Sequence, residues 1–212
     1  MVAQIAGKTT GIAKKAKITM VKSGDMSWSG GVEACIDALA KTYDDIKEMQ
    51  TKNRASKAVV SMSWTYEYTK EHGTAPWRNP AIAAIIELIH ELIKLNVVCV
   101  TSAGNGKSVS GRCEVVHMLD TLLIVEGAPI SGYPAALGAT LPNLIVVGGV
   151  SNQGVQSRQA QIAPYVKISA SAIDYTCPNI ASTNPDQYHL MSGTSGGNFF
   201  PPKICNSVTD WI

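Results

Sequence analysis

Ser195 stands in the stretch Met191-Ser192-Gly193-Thr194-Ser195-Gly196-Gly197, a Gly-x-Ser-x-Gly string. Glycine ahead of the serine lets the backbone turn sharply and clears space for a carbonyl group. Several unrelated hydrolases present a nucleophilic hydroxyl in this way. A second string, Ser102-Ala103-Gly104-Asn105, closes an apolar run. Its asparagine carries the N–H donor that a developing oxyanion needs. The pair points to acyl transfer, with Ser195 attacking and Asn105 stabilising the tetrahedral oxyanion. A serine hydroxyl also needs a base. The histidines are His72, His90, His117 and His189. His90 falls within a helical pattern beside its apolar stripe, and His72 and His117 fall in loop-like sequence. His189 lies six residues ahead of Ser195. Each is read as structural.

These residues must be held by a framework, and the apolar periodicity supplies one. Lys17–Lys22 alternates apolar and polar residues as a strand does. Val32, Cys35, Ile36, Leu39, Ile46 and Met49 recur at helical spacing. Ala58–Ser63 is a short strand. Asn79-Pro80 opens a helix, with proline where no N–H is missed. Ile82, Ile85, Ile86, Ile89 and Ile93 line one face of that helix, and Asn96 suits its left-handed stop. Val97–Ser102, Leu144–Val150 and Tyr165–Ala170 read as further strands. Alternation of this kind predicts an α/β fold with a mostly parallel sheet and helices on both faces. Ligands of such sheets bind beyond the carboxyl ends of the strands. Ser63-Trp64 and Ala103-Gly104-Asn105 fall at two such ends. Gly106–Ser131 is the main irregular stretch and holds an apolar patch, Met118–Val125, without an assigned place.

The chain has 212 residues, 45% of them hydrophobic and 16% charged, which is the composition of one globular domain. Eighteen Lys and Arg against sixteen Asp and Glu leave a formal charge of +2, so neither nucleic acid nor a membrane surface is expected as partner. No apolar stretch is long enough to span a bilayer, and no signal peptide opens the chain. The cysteines are Cys35, Cys99, Cys113, Cys177 and Cys205, with no C-x-x-C and no His pair beside them, so no zinc is expected. Cys35 and Cys99 read as buried thiols. Cys113, Cys177 and Cys205 lie in loop-like sequence where a disulfide could form. No acidic cluster forms a calcium site. No metal and no cofactor are expected, and no feature sets an oligomeric state.

Chain order narrows the serine chemistry. In α/β-hydrolases the acid and the histidine follow the nucleophile, but 17 residues follow Ser195 and none is histidine. Trypsin-like enzymes are β-barrels, whereas this chain alternates α and β. Acid, histidine, serine on an α/β sheet is the order of the subtilisin-like peptidases. The chain resembles that family over nearly its whole length. Ser192-Gly193-Thr194-Ser195 resembles its nucleophile motif, and Val100–Asn105 its oxyanion segment. Ser61-Met62-Ser63-Trp64 resembles its substrate-binding strand. Tyr133-Pro134-Ala135-Ala136 and Pro142–Gly148 resemble its link from the oxyanion loop to the next strand. Val2-Ala3, Ile5-Ala6-Gly7 and Gly11–Ala16 resemble the segment directly after its His-Gly-Thr-x-Val-Ala motif.

The resemblance implies a serine endopeptidase domain acting on polypeptide substrates, and an extracellular location. It implies Ser195 as nucleophile and Asn105 as oxyanion donor. Ser63 and Trp64 would line one edge of the pocket for the substrate side chain, with Ser102, Ala103 and Gly104 along its floor and Gly193 and Thr194 beside the nucleophile. Trp64 stands where the family has a small or aliphatic residue, and Thr65 where glycine is common, which implies an altered or blocked pocket. Met1 aligns with the x of His-Gly-Thr-x, so the catalytic histidine and aspartate are expected ahead of Met1. After Ser195 the family continues into a long helix, whereas Gly196-Gly197-Asn198-Phe199-Phe200-Pro201-Pro202 disfavours one. Residues 1–212 are therefore expected to form a single partial domain that is inactive by itself. Loss of a triad member leaves only ~10³–10⁴-fold catalysis over water. A degenerate homologue kept as a binding or decoy module, or a gene-model fragment, is the alternative. Nucleotide binding is disfavoured, because Ser23-Gly24-Asp25-Met26 after the first expected strand has neither G-x-G-x-x-G nor a Walker lysine.

Overall fold

A computed structural model describes residues 5–7, 11–23, 31–67, 75–106, 129–157, 160–173, 175–178 and 188–197. In chain order the elements are α1 (Gly31–Lys52), β1 (Val59–Met62), β2 (Tyr66–Glu67), α2 (Pro80–Lys94), β3 (Val98–Ser102), β4 (Gly132–Tyr133), β5 (Leu144–Val150), β6 (Ile168–Ser171), β7 (Tyr175–Pro178), β8 (Tyr188–Met191) and α3 (Thr194–Gly197). Short 3₁₀ turns cover Pro76–Arg78 and Ala135–Ala139.

Helix α2 starts where the sequence predicts. The Asn79 side-chain oxygen accepts from the N–H groups of Ala81 and Ile82 at 2.9 and 3.3 Å, and Pro80 follows at the first helical position. Two of the donors that a helix start leaves unpaired are thereby satisfied. Ile82, Ile85, Ile89 and Leu92 are fully buried along one stripe, and Ile86 and Ile93 flank it half-buried. The helix ends in a Schellman motif. Asn96 adopts φ 60, and the N–H groups of Val97 and Asn96 bond back to Leu92 and Ile93 at 3.1 and 2.9 Å. Helix α1 buries Leu39 and Ile46 and rests Val32, Ile36, Tyr43 and Met49 on the same core. Gln50 near its end donates to the Leu95 carbonyl at 2.9 Å, which fastens α1 to the stop of α2.

Among the described residues the main sheet has four parallel strands in the order β1-β3-β5-β6. Side chains alternate across it. Met62, Cys99, Leu144 and Val146 point to the core beneath α1 and α2. Val147 and Gly149 point to the other face, where Gly149 meets Ala172 and Thr194. Helices thus cover both faces, α1 and α2 on one and the short α3 on the other. Strands β2 and β4 form a small antiparallel pair, as do β7 and β8.

Two strand expectations need correction. Lys17–Lys22 forms no strand, and Met20 within it is 78% exposed. Among the described residues no strand pairs with it, and alternation without a partner does not make a sheet. The expected strand Tyr165–Ala170 begins later, at Ile168, where the register with Val147 starts. Cys177 lies on β7 and not in a loop. Cys99 is buried as expected and Cys35 is half-buried. Cys113, Cys205 and the apolar patch Met118–Val125 lie outside the described residues.

Candidate active site

Strands β1 and β3 bring the expected substrate-binding residues to one end of the sheet. Their register pairs Met62 with Thr101, and the buried Thr101 hydroxyl donates to the Met62 carbonyl at 3.1 Å. Ser63 and Trp64 leave β1 at that point, beside Ser102 at the end of β3. Ser102, Ala103 and Gly104 are buried, and Ser63 and Trp64 are half-buried. Trp64 rests against the hydrophobic core, so only part of its ring faces solvent. The next residue, Thr65, places its methyl group where a side chain on Gly132 would stand, across the β2–β4 pair.

The segment Ser102–Asn105 leaves the sheet in steps. The Ala103 N–H still bonds β5, at the Val147 carbonyl, over 2.8 Å. Gly104 then takes φ +98, a backbone conformation that side-chain-bearing residues rarely adopt. That turn delivers Asn105 to the surface, where it is exposed.

The serine segment arrives from the other side of the same sheet end. Ala172, just past β6, donates to Val150 at 2.9 Å and accepts from the Gly193 N–H at 2.7 Å. The following residue, Thr194, is 1% exposed. Asn105 and Thr194, 89 residues apart in sequence, then meet. The Asn105 side-chain oxygen accepts from the Thr194 N–H at 2.9 Å and from its hydroxyl at 3.1 Å. A backbone N–H can only donate, so the atom facing it must be Oδ1. Nδ2 is thereby turned toward Gly193, 3.2 Å from where a Cβ on that residue would lie. Ser195 is the next residue along, half-buried on α3, and the Gly196 N–H closes the turn onto the Gly193 carbonyl at 2.9 Å.

The structure therefore brings Asn105, Gly193, Thr194 and Ser195 together, and Ser63, Trp64, Ser102, Ala103 and Gly104 to the same end of the sheet. Among the histidines, His90 is half-buried on α2, and His189 lies on β8 in register with Cys177. His72 and His117 lie outside the described residues. Burial pushes the Cys99 thiol up to about 11. Burial, and then the neighbouring Tyr133, raise the Tyr165 hydroxyl. Among the described residues no group of His, Cys, Asp and Glu gathers to hold a metal ion, and no helix is long and apolar enough to cross a membrane.

The sequence did not flag Gln161, which is buried against Gly104. A lone glutamine between alanine and isoleucine carries no local signal, and its partners lie far away in the chain. The β7–β8 hairpin leading into the serine was missed as well. The stretches that form it, Tyr175–Pro178 and Tyr188–Met191, are only four residues each.

Comparison with known proteins identifies the family. The Subtilase family model matches residues 1–197. A curated relative, the subtilisin-like proteinase Mp1 of Magnaporthiopsis poae, is 25% identical over 194 residues, covering 90% of this chain and 38% of that protein. The chain thus spans well under half of that relative's length. The crystal structure of a cold-adapted subtilisin-like serine proteinase superposes with a TM-score of 0.59 at 19% identity, over 92% of this chain and 54% of that one. The fold is the subtilisin-like α/β sandwich, present in part. The chain belongs to the subtilase family and carries a peptidase domain of that family.

Proposed function

We propose that this site is built for peptide-bond hydrolysis by acyl transfer. Ser195 Oγ attacks the scissile carbonyl carbon, its proton passes to a base, and the carbonyl oxygen becomes an oxyanion that Asn105 Nδ2 stabilises. One such donor is worth roughly 3–4 kcal/mol in the transition state. The observation that carries the proposal is the pair of bonds from Thr194 to Asn105 Oδ1. They commit the other end of the amide to donation beside Gly193, two residues ahead of the nucleophile. Ser63 and Trp64 form one edge of the substrate groove, Ser102 to Gly104 its floor, and Gly193 and Thr194 its wall beside Ser195. The Thr65 methyl against Gly132 narrows the space next to that edge, which favours a small substrate side chain there.

The family resemblance puts the histidine and its aspartate ahead of Met1, and His90 sits within α2. On that reading the 212-residue chain is inert toward peptide bonds. In the protein's working form the substrate is a polypeptide and the location extracellular, as the resemblance implies. A fluorophosphonate probe, which labels an activated serine and ignores an inert one, tests both halves of the proposal. The 212-residue chain is expected to stay unlabelled. A form extended by a family segment carrying the aspartate and His-Gly-Thr is expected to label at Ser195 and to lose labelling in Ser195→Ala. Labelling of the short chain would overturn its inertness. Labelling of the extended form at any other residue, or none, would overturn the nucleophile assignment and favour a non-catalytic binding module.

A further inference from the structure

Asn105 is held from one side by Thr194, but a side chain is only as fixed as the backbone that carries it. The residue before it is Gly104, at φ +98. Glycine reaches that conformation without strain and leaves it as readily. Something else must hold the peptide that joins Gly104 to Asn105.

The segment 160–162 lies between the oxyanion loop and the returning chain at Pro129–Ser131. Asn105 forms an antiparallel bridge with Ala160, and Pro129 a parallel one with Ile162. The Gln161 N–H donates to the Gly104 carbonyl at 3.0 Å, and the Ile130 N–H to the Ile162 carbonyl at 3.2 Å. The Gln161 side chain, in a residue only 8% exposed, spans both partners. Its Nε2 donates to the Pro129 carbonyl at 3.1 Å and stands 3.5 Å from the Ser131 hydroxyl. Its Oε1 occupies the space above the Gly104 Cα that a Cβ would take. The amide is oriented by the Pro129 carbonyl, which can only accept, so Oε1 is the atom left over Gly104.

We infer that Gln161 is a positioning residue for the oxyanion donor. It fixes the Gly104 peptide from two directions, by its own N–H on the carbonyl and by its side-chain oxygen over the Cα. Thr194 then fixes the far end of the Asn105 side chain. With both clamps in place Nδ2 has one direction. With Thr194 alone, Asn105 pivots about Gly104. A donor displaced by about 1 Å loses much of its effect on a developing charge. The catalytic meaning of this clamp rests on the proposed role of Asn105, whereas the clamp itself is a matter of structure.

The test reads the loop without requiring turnover. Gln161→Met keeps length and volume and removes both polar ends. Two signals are followed by NMR in the 212-residue chain: hydrogen exchange of the Thr194 amide, whose acceptor is Asn105 Oδ1, and the Asn105 carboxamide pair, assigned by its loss in Asn105→Asp. The expected result is exchange at Thr194 about five- to tenfold faster, the scale of one neutral hydrogen bond. The Asn105 carboxamide pair shifts, while the amides of the central strand β5 keep their wild-type rates. A Thr194 rate and carboxamide signals equal to wild type would overturn the inference. So would a rise at Thr194 matched by an equal rise throughout β5, because Gln161 would then serve the whole domain. Should the Met variant fail to fold, Gln161→Glu keeps the oxygen over Gly104 and sets an acceptor against the Pro129 carbonyl, and the same local release is expected. If neither variant folds, the positioning role is overturned in favour of a general structural one. A failed fluorophosphonate experiment would leave these amide signals unmoved, so the two readings fail separately.

Discussion

Replacing Asn105 in two ways separates the work of its two side-chain atoms. Asn105→Asp keeps an acceptor where Oδ1 stands and exchanges the Nδ2 donor for a second oxygen. Thr194 is 1% exposed, and its N–H and hydroxyl donate to Oδ1 over 2.9 and 3.1 Å. With aspartate both bonds become charge-assisted, each about twice as strong as its neutral counterpart. The Asp variant is therefore expected to unfold at or above the wild-type temperature at pH 7. Asn105→Ala removes the acceptor altogether. The Thr194 hydroxyl can rotate to another partner, but its backbone N–H cannot, and a buried donor left unmade costs ~1–3 kcal/mol. Because Asn105 is itself exposed, water can enter the gap, and the low end of about 1 kcal/mol applies. For a domain of this size that lowers the unfolding midpoint by about 2–4 °C. The Asp variant adds a pH signature. Two donors hold its carboxyl below the ordinary value of about 3.9. A depressed folded-state value means stabilisation that is present above the ordinary value and lost as pH falls through the folded one. The advantage of Asp over Ala should therefore narrow below about pH 4. Thermal unfolding followed by circular dichroism at pH 7 and in acid measures all of this. If Asp destabilises as much as Ala at pH 7, Oδ1 is not the atom that Thr194 holds, and the case for Nδ2 as oxyanion donor fails with it.

The same contacts set three further outcomes. Asn79→Ala should cost about 1 kcal/mol through loss of the α2 cap, while Asn79→Asp should keep most of it, as thermal midpoints will show. In the extended, probe-reactive form, Thr65→Gly should open the space beside Gly132 and raise kcat/KM for substrates with larger side chains relative to small ones; an unchanged ratio would remove Thr65 from the specificity determinants. The Cys99 thiol, raised from 9.0 to about 11 by burial, makes the fold lose stability as pH climbs between those values, because the unfolded chain releases that proton first. The ceiling of that loss is ~3 kcal/mol. Urea unfolding from about pH 8.5 to about pH 11 should show a shallower decline for Cys99→Ala than for wild type, and equal slopes would refute it.

The helices and the central strands were legible because their signals are local. Asn79-Pro80 announces a helix start through the hydrogen bonds that its own side chain makes two and three residues on. The apolar spacing of α2 and the unbroken run of β5 follow from burial on one stripe and on two faces. Lys17–Lys22 shows the limit of such signals. It has the alternation of a strand, yet pairing is a property of two segments, and no strand among the described residues pairs with it. The short β2–β4 and β7–β8 pairs fail in the opposite sense, with true partners and too few residues to announce them.

Residue order alone set the chemical vocabulary of the site: a serine between glycines, an asparagine after Ser-Ala-Gly, and an order of motifs that one serine-peptidase family writes on an α/β sheet. Folding settled the rest, because hydrogen bonds across 89 residues leave no local trace. It settled which end of the Asn105 amide faces Thr194, that the Thr65 methyl leans on Gly132, and that a buried glutamine closes over Gly104. A motif names the groups that can react; the orientation of a donor is fixed by neighbours that only folding brings into contact.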